Sequence, residues 1–225
     1  MKYVTLILLA ITLTSCLEGD DDSFRTTSDV LFVNVYNDAA GGVEFRVDNR
    51  EWAYGYRSYD NDTVDGYHAF YSGDVTFSAF ASGSGSDQAI ASSSQTLNRD
   101  TDYTAFLTGK SGDGKMVFLT DTLSTPAGGK ALIRFVNLSP DLSKADIKVA
   151  DSGVISNLDY LTAGYAIIDT GATVVRAYRA GETVAAATLN FEPLPLGIYT
   201  MYTRGLSGRS GRDSLAISYF LQPRR

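Results

Sequence analysis

A chain of 225 residues with 44% hydrophobic and 20% charged residues has globular composition and room for two cores, and its 14 tyrosines, 11 phenylalanines and 21 glycines favour strands and turns over helices. The formal charge of −7 is unevenly divided, with 14 acids against 6 bases over residues 29–125 and 8 against 11 over residues 126–225. A chain that is acidic overall, with only a modest basic excess in one half, excludes nucleic acid as a partner, because that contact needs a concentrated basic footprint.

The chain opens with Lys2 and the apolar run Val4 to Leu13, the charged start and hydrophobic segment of a secretory signal peptide, read here as residues 1–15. The run is too short to span a bilayer, which needs roughly 20 apolar residues. Leu13-Thr14-Ser15-Cys16 resembles a bacterial lipobox, in which the cysteine carries the lipid and becomes the first mature residue. That explains a lone cysteine: a lipid attachment point needs no disulfide partner. Two or three acyl chains, at about 0.8 kcal/mol per buried methylene, anchor the protein stably, so the membrane is a partner through the lipid only.

Residues 16–28 follow as a lipidated acidic tether. Glu18, Asp20, Asp21 and Asp22 lie in a Gly- and Ser-containing stretch without apolar periodicity. An acidic cluster just after the lipidated cysteine resembles the signal that sends lipoproteins of Bacteroidota-type bacteria to the outer face of the outer membrane. The expected location is therefore outer-membrane and cell-surface, with a periplasm-facing anchor as the alternative.

Beyond the tether one unit is written twice. Phe32-Val33-Asn34 and Asp38 match Phe135-Val136-Asn137 and Asp141 at a spacing of 103; Gly66-Tyr67 and Gly73 match Gly164-Tyr165 and Gly171 at 98; Tyr103-Thr104, Gly109 and Gly112 match Tyr199-Thr200, Gly205 and Gly208 at 96. Within each copy the period is two: Val43, Phe45 and Val47 alternate with Glu44 and Arg46, and Ile147 and Val149 with Asp146 and Lys148. Short strands at this density predict an all-β chain of two tandem immunoglobulin-like antiparallel β-sandwiches, residues 29–125 and 130–222, joined near Ser124 to Gly129.

The first copy carries eight extra residues between Tyr54 and Gly66 relative to the second. In that loop Tyr56, Arg57, Tyr59 and Asp60 form the candidate ligand site, because tyrosines without an inherited core position can stack on sugar rings and bond their hydroxyls. The oxygens of Asp60, Asn61, Asp62 and Asp65 form an alternative calcium site, although Val64 stands where an EF-type loop needs a third ligand. Plain turn decoration is the third reading. Calcium is the only cofactor the pattern admits.

His68, the sole histidine, is expected to face out of its strand. Gly109 to Lys115 spells the spacing of a phosphate loop, but Met116 replaces the magnesium-binding hydroxyl and a strand follows instead of a helix, so a hairpin turn is expected. The corresponding turn, Gly205 to Arg212, keeps the glycines and loses the motif; its arginines either grip an anion or keep the loop soluble. Neither a nucleophile elbow nor a histidine-based triad can be assembled, so no catalytic residue is assigned and the chain is expected not to be an enzyme.

The second copy opens Arg134-Phe135-Val136-Asn137-Leu138-Ser139-Pro140-Asp141, continues through Ala145 to Val149, and reaches Leu196-Gly197-Ile198-Tyr199-Thr200. It resembles the bacterial extracytoplasmic family known as domain of unknown function 4397, best over Lys130 to Gly205, with the first copy joining through its match to the second. The resemblance implies export, lipid anchoring and tandem arrangement, and brings no catalytic residues. The expected role is a non-catalytic binding or envelope-structural module for a glycan or an envelope protein; the alternative is an exported hydrolase acting on polysaccharide or peptide.

Overall fold

A computed structural model describes residues 27–39, 42–48, 58–59 (backbone only), 64, 66–83 and 88–223. Strands dominate. The first unit contains β1 (Thr27–Asn34), β2 (Val43–Val47), β3 (Ser58–Tyr59), β4 (His68–Tyr71), β5 (Gly73–Ala81), β6 (Ala91–Leu97), β7 (Asp102–Lys110) and β8 (Asp113–Thr120). The second contains β9 (Lys130–Asn137), β10 (Lys144–Val149), β11 (Ser152–Asp159), β12 (Ala163–Asp169), β13 (Thr173–Arg179), β14 (Ala185–Phe191), β15 (Ile198–Arg204) and β16 (Ala216–Leu221), with a 3-10 turn at Gly211–Asp213.

Each unit is a pair of four-stranded sheets, and the strand order is repeated: β4-β1-β7-β8 over β3-β2-β5-β6, then β12-β9-β15-β16 over β11-β10-β13-β14. The expected sandwich therefore holds as two facing sheets per unit. Its connectivity is more specific than the immunoglobulin pattern, because one pair in each unit, β1 with β7 and β9 with β15, runs parallel. Tyr103 Oη accepts the Asn98 N–H at 2.9 Å and Tyr199 Oη the Leu194 N–H at 2.9 Å, a repeated clamp that resembles the tyrosine corner of β-sandwiches.

The period-two pattern sorts side chains as expected in β2, where Val43, Phe45 and Val47 turn inward against Phe77 and Ala79. The strands β1, β7, β9 and β15 are instead buried on both faces. One face feeds its own sandwich: Val30, Phe32, Tyr103 and Ala105 in the first unit, Ile133, Phe135, Tyr199 and Met201 in the second. The other face makes a third core in which Leu31, Val33, Val35 and Phe106 meet Val136, Leu138 and Tyr202. Near-continuous apolar runs such as Val30-Leu31-Phe32-Val33 are the signature of such doubly covered strands. The two units are thus packed face against face, a feature outside the sequence reading.

Thr27 and Ser28, placed in the tether by sequence, belong to β1. Ser28 is fully buried, which its hydroxyl tolerates by donating to Asn98 O at 2.6 Å and lying 3.1 Å from Ser72 Oγ.

Candidate functional site

Of the residues singled out by sequence, Cys16, Tyr56, Arg57, Asp60, Asn61, Asp62 and Asp65 lie outside the described residues, as do the signal peptide and most of the tether. Tyr59 is placed by its backbone alone, in β3 opposite Val43. The far side of that loop is fixed where Val64 bridges Val33 and packs on the shared core. Among the described residues no group of three or more His, Cys, Asp or Glu could hold a metal ion.

The phosphate-loop spacing forms the expected hairpin. Lys110 pairs with Asp113 across Ser111 and Gly112, and Gly109, at φ 120°, lies so close to the returning strand that a Cβ would stand 2.2 Å from Asp113 O. Its glycines serve backbone geometry, not a phosphate. Asp38 Oδ2 accepts the Ser111 N–H at 2.7 Å, and the repeated aspartate, Asp141, accepts the Ser207 N–H at 2.7 Å, so this matched pair ties down equivalent turns. Asp141 Oδ1 also takes Lys110 Nζ at 2.8 Å, linking the units. In the matching turn Arg209 and Arg212 are exposed, and the Arg212 carbonyl accepts from Arg204 Nη1.

His68 corrects an expectation. It shares the inward face of β4 with Phe70, opposite Val30 and with its ring centroid 6.2 Å from that of Phe32, while Ala69 and Tyr71 take the outward face. Phe70, the large apolar residue of this short strand, sets the phase of the alternation.

Polar groups converge most densely between the units. Arg134 has no exposed surface, and its five N–H donors are all used. Nε donates to Thr200 Oγ1 at 3.1 Å; Nη1 to Thr120 O at 3.2 Å and to Asp121 Oδ1; Nη2 to Thr104 Oγ1 at 3.0 Å and Gln222 Oε1 at 3.3 Å. Tyr67 Oη donates to Asp121 Oδ2 at 2.6 Å and accepts from Gln222 Nε2. Burial, followed by the charge of Asp121, pushes the Tyr67 hydroxyl far above its ordinary range. With all five Arg134 donors turned inward onto protein acceptors, this network ties the two units together, and it is read as architecture.

Two adjoining depressions lie on the second unit, where β12, β14 and β16 end and β13 begins. A depression of about 520 Å³ is lined by Ala172, Thr173, Val174, Asn190, Phe191, Glu192 and Tyr219. A neighbouring one of about 370 Å³ shares Ala172 and Thr173 with it and continues along Val149, Ser152, Val154, Ile167 and Asp169. Tyr219 is 45% exposed, and its ring stands edge-to-face on Phe191 (centroids 5.0 Å apart) and on Tyr199 (6.1 Å), both buried. Sequence matching missed this tyrosine because the copies fall out of step after Gly112 and Gly208. Strand pairing restores the register: Phe118 faces Ala105 and Tyr219 faces Met201, making Phe118 the counterpart of Tyr219.

Comparison with known proteins adds the following. A family model described as Domain of unknown function (DUF4397) matches residues 28–148, which is the whole first unit together with β9 and most of β10. The match thus includes the Arg134 to Asp141 opening and reaches back over the copy that had resembled the family less closely. No curated protein matches the chain. Among solved structures, the chain is similar to a streptococcal virulence factor described for alpha-glucan binding, at 9% identity over 78% of this chain and 92% of that one, with a TM-score of 0.29. A family 26 carbohydrate-binding module of Eubacterium rectale Amy13K, solved with maltoheptaose, matches at 9% identity over 88% and 98%, TM-score 0.27. The Bacillus anthracis TIE protein matches at 11% identity over 80% of this chain and 34% of that one, TM-score 0.27.

Proposed function

The chain belongs to the DUF4397 family, and we propose that it is a non-catalytic binding module, anchored to the outer membrane through Cys16 and displayed at the cell surface, that holds a glycan or protein ligand on a rigid two-unit body. The observation that carries this reading is the open groove beside Tyr219, framed by a ring whose orientation is set from beneath. One carboxylate, Glu192, lines the larger depression and one, Asp169, the smaller.

Anchoring and display are tested by fractionation and by protease shaving of intact cells. Cys16→Ser is expected to move the protein from membrane to soluble fraction, and shaving of wild-type cells to remove it. A protein that stays in the membrane after the substitution overturns the anchor; one that resists shaving places the body on the periplasmic side. Release of reducing sugar or peptide by the purified chain would install the hydrolase instead.

A further inference from the structure

We propose that the two adjoining depressions of the second unit form one site for a neutral polysaccharide, with Tyr219 as its stacking platform. This rests on the binding-module reading above and assigns it a ligand class and residues.

The platform comes first. An exposed tyrosine on a strand is unremarkable alone, but Tyr219 is wedged against two buried rings, Phe191 and Tyr199, each 4% exposed. That packing removes its rotational freedom in advance, so binding an apolar sugar face costs little side-chain entropy. The lining also includes Thr173, which lies opposite Phe191 in the β13–β14 pair, with Asn190 and Glu192, residue types that carry donors and acceptors for hydroxyl groups.

Charge then narrows the ligand. The combined lining holds Glu192 and Asp169 and has no cationic side chain of its own, while Lys130 Nζ reaches Asp169 Oδ1 from beside it at 2.5 Å. With Asp169 paired, the lining is weakly acidic through Glu192 and offers uronates, sulfated chains and phosphates no cation within it, which favours uncharged polyhydroxylated chains. Shape narrows it again: both volumes fall within the roughly 300–1,000 Å³ range of small-molecule sites, and they meet at Ala172 and Thr173, as a chain of several sugars requires and a single sugar does not.

The described residues of the first unit do not repeat the platform. There Phe118 stands in place of Tyr219, half-buried with its ring 5.0 Å from Phe77. One site per chain is therefore expected.

The test uses the full chain in affinity electrophoresis and calorimetry against dextran, laminarin and arabinoxylan as neutral probes, polygalacturonate and heparin as anionic ones, and unfolded casein as a peptide probe. Expected is retention by at least one neutral polymer with one site per chain. Tyr219→Ala should weaken it about tenfold or more, and Tyr219→Phe should retain most of the affinity. Asn190→Ala, wholly on the surface, should weaken it several-fold and serves as the second variant if Tyr219→Ala disturbs folding. Tyr165→Ala, an exposed tyrosine outside the groove, should change nothing. Neutral-polymer binding indifferent to Tyr219 and Asn190, or preference for the anionic polymers or casein, overturns the site and leaves the binding module standing. Failure to retain any probe, in a chain that also captures no envelope protein, overturns both.

Discussion

Asp121, which follows β8 of the first unit, and Arg134, in the middle of β9 of the second, form an ion pair across the shared core, with side chains 2% and 0% exposed. The matched positions carry different residues in the two copies. Leu31 occupies the place of Arg134 in the first, and the strand register makes Gln222 the counterpart of Asp121. An aliphatic side chain in one copy stands where the other has a guanidinium, and Asp121 and Gln222 both bond to that guanidinium.

Removing one partner leaves a buried charge without compensation. Asp121→Ala is expected to cost about 3–5 kcal/mol, read as a fall in the urea midpoint. Arg134→Leu combined with Asp121→Asn should cost less than Asp121→Ala, since it removes both charges and restores the leucine found at position 31.

The turn glycines should rank by space as well as by backbone angle. Gly112, at φ 75° with nothing within 4 Å of an added Cβ, is expected to lose about 1–2 kcal/mol as alanine, the left-handed penalty alone. Gly109→Ala and Gly205→Ala should lose more, because their Cβ atoms would stand 2.2 Å from Asp113 O and 2.0 Å from Ser214 O. Thermal unfolding of the three variants checks the order.

Acid should loosen the second unit's turns. Burial pushes the Asp141 carboxyl up, but hydrogen bonds from Lys110 and the Ser207 N–H outweigh it and hold the group below its ordinary value. Asp146 is held below by the N–H groups of Asn157 and Gly181. A depressed carboxyl contributes stability that is complete above its unfolded value of about 4 and lost as pH falls through the folded one. Asp141→Asn is expected to be less stable than wild type at neutral pH and to show a shallower loss of stability below about pH 4.

Alkali should act on the seam between the units. The Tyr67 hydroxyl is raised first by burial and then by Asp121, and burial likewise raises Tyr36 and Tyr160. The unfolded chain loses these protons near pH 10 while the folded chain keeps them, so stability falls as pH rises beyond about 10. Tyr67→Phe should reduce that alkaline loss and cost about 1–3 kcal/mol at neutral pH by stripping a partner from Asp121 and Gln222. Denaturant titrations at pH 7 and pH 11 separate the two effects.

Strand positions were legible because β2 and β10 have one buried face, and period two records that directly. The hairpin at Gly109 was legible because a strand, not a helix, follows it. The shared core was harder to see: a strand covered on both sides shows no alternation, and a single copy of Val30 to Val33 cannot reveal which sheet lies on its second face. Arg134 was visible as a motif residue but not as a buried one, since its partners come from residues 104, 120, 121, 200 and 222 and meet only in the fold. Tyr219 was hidden by the longer turn before β16, which breaks the repeat just ahead of it.

The third core has a consequence for descent. Cutting away either copy would strip the cover from Leu31, Val33, Val35 and Phe106, or from Val136, Leu138 and Tyr202, and leave sticky monomers exposed to aggregation and degradation. Once the duplicated gene had acquired this seam, neither half could be shed without damage, and selection would transmit the pair as a single heritable block.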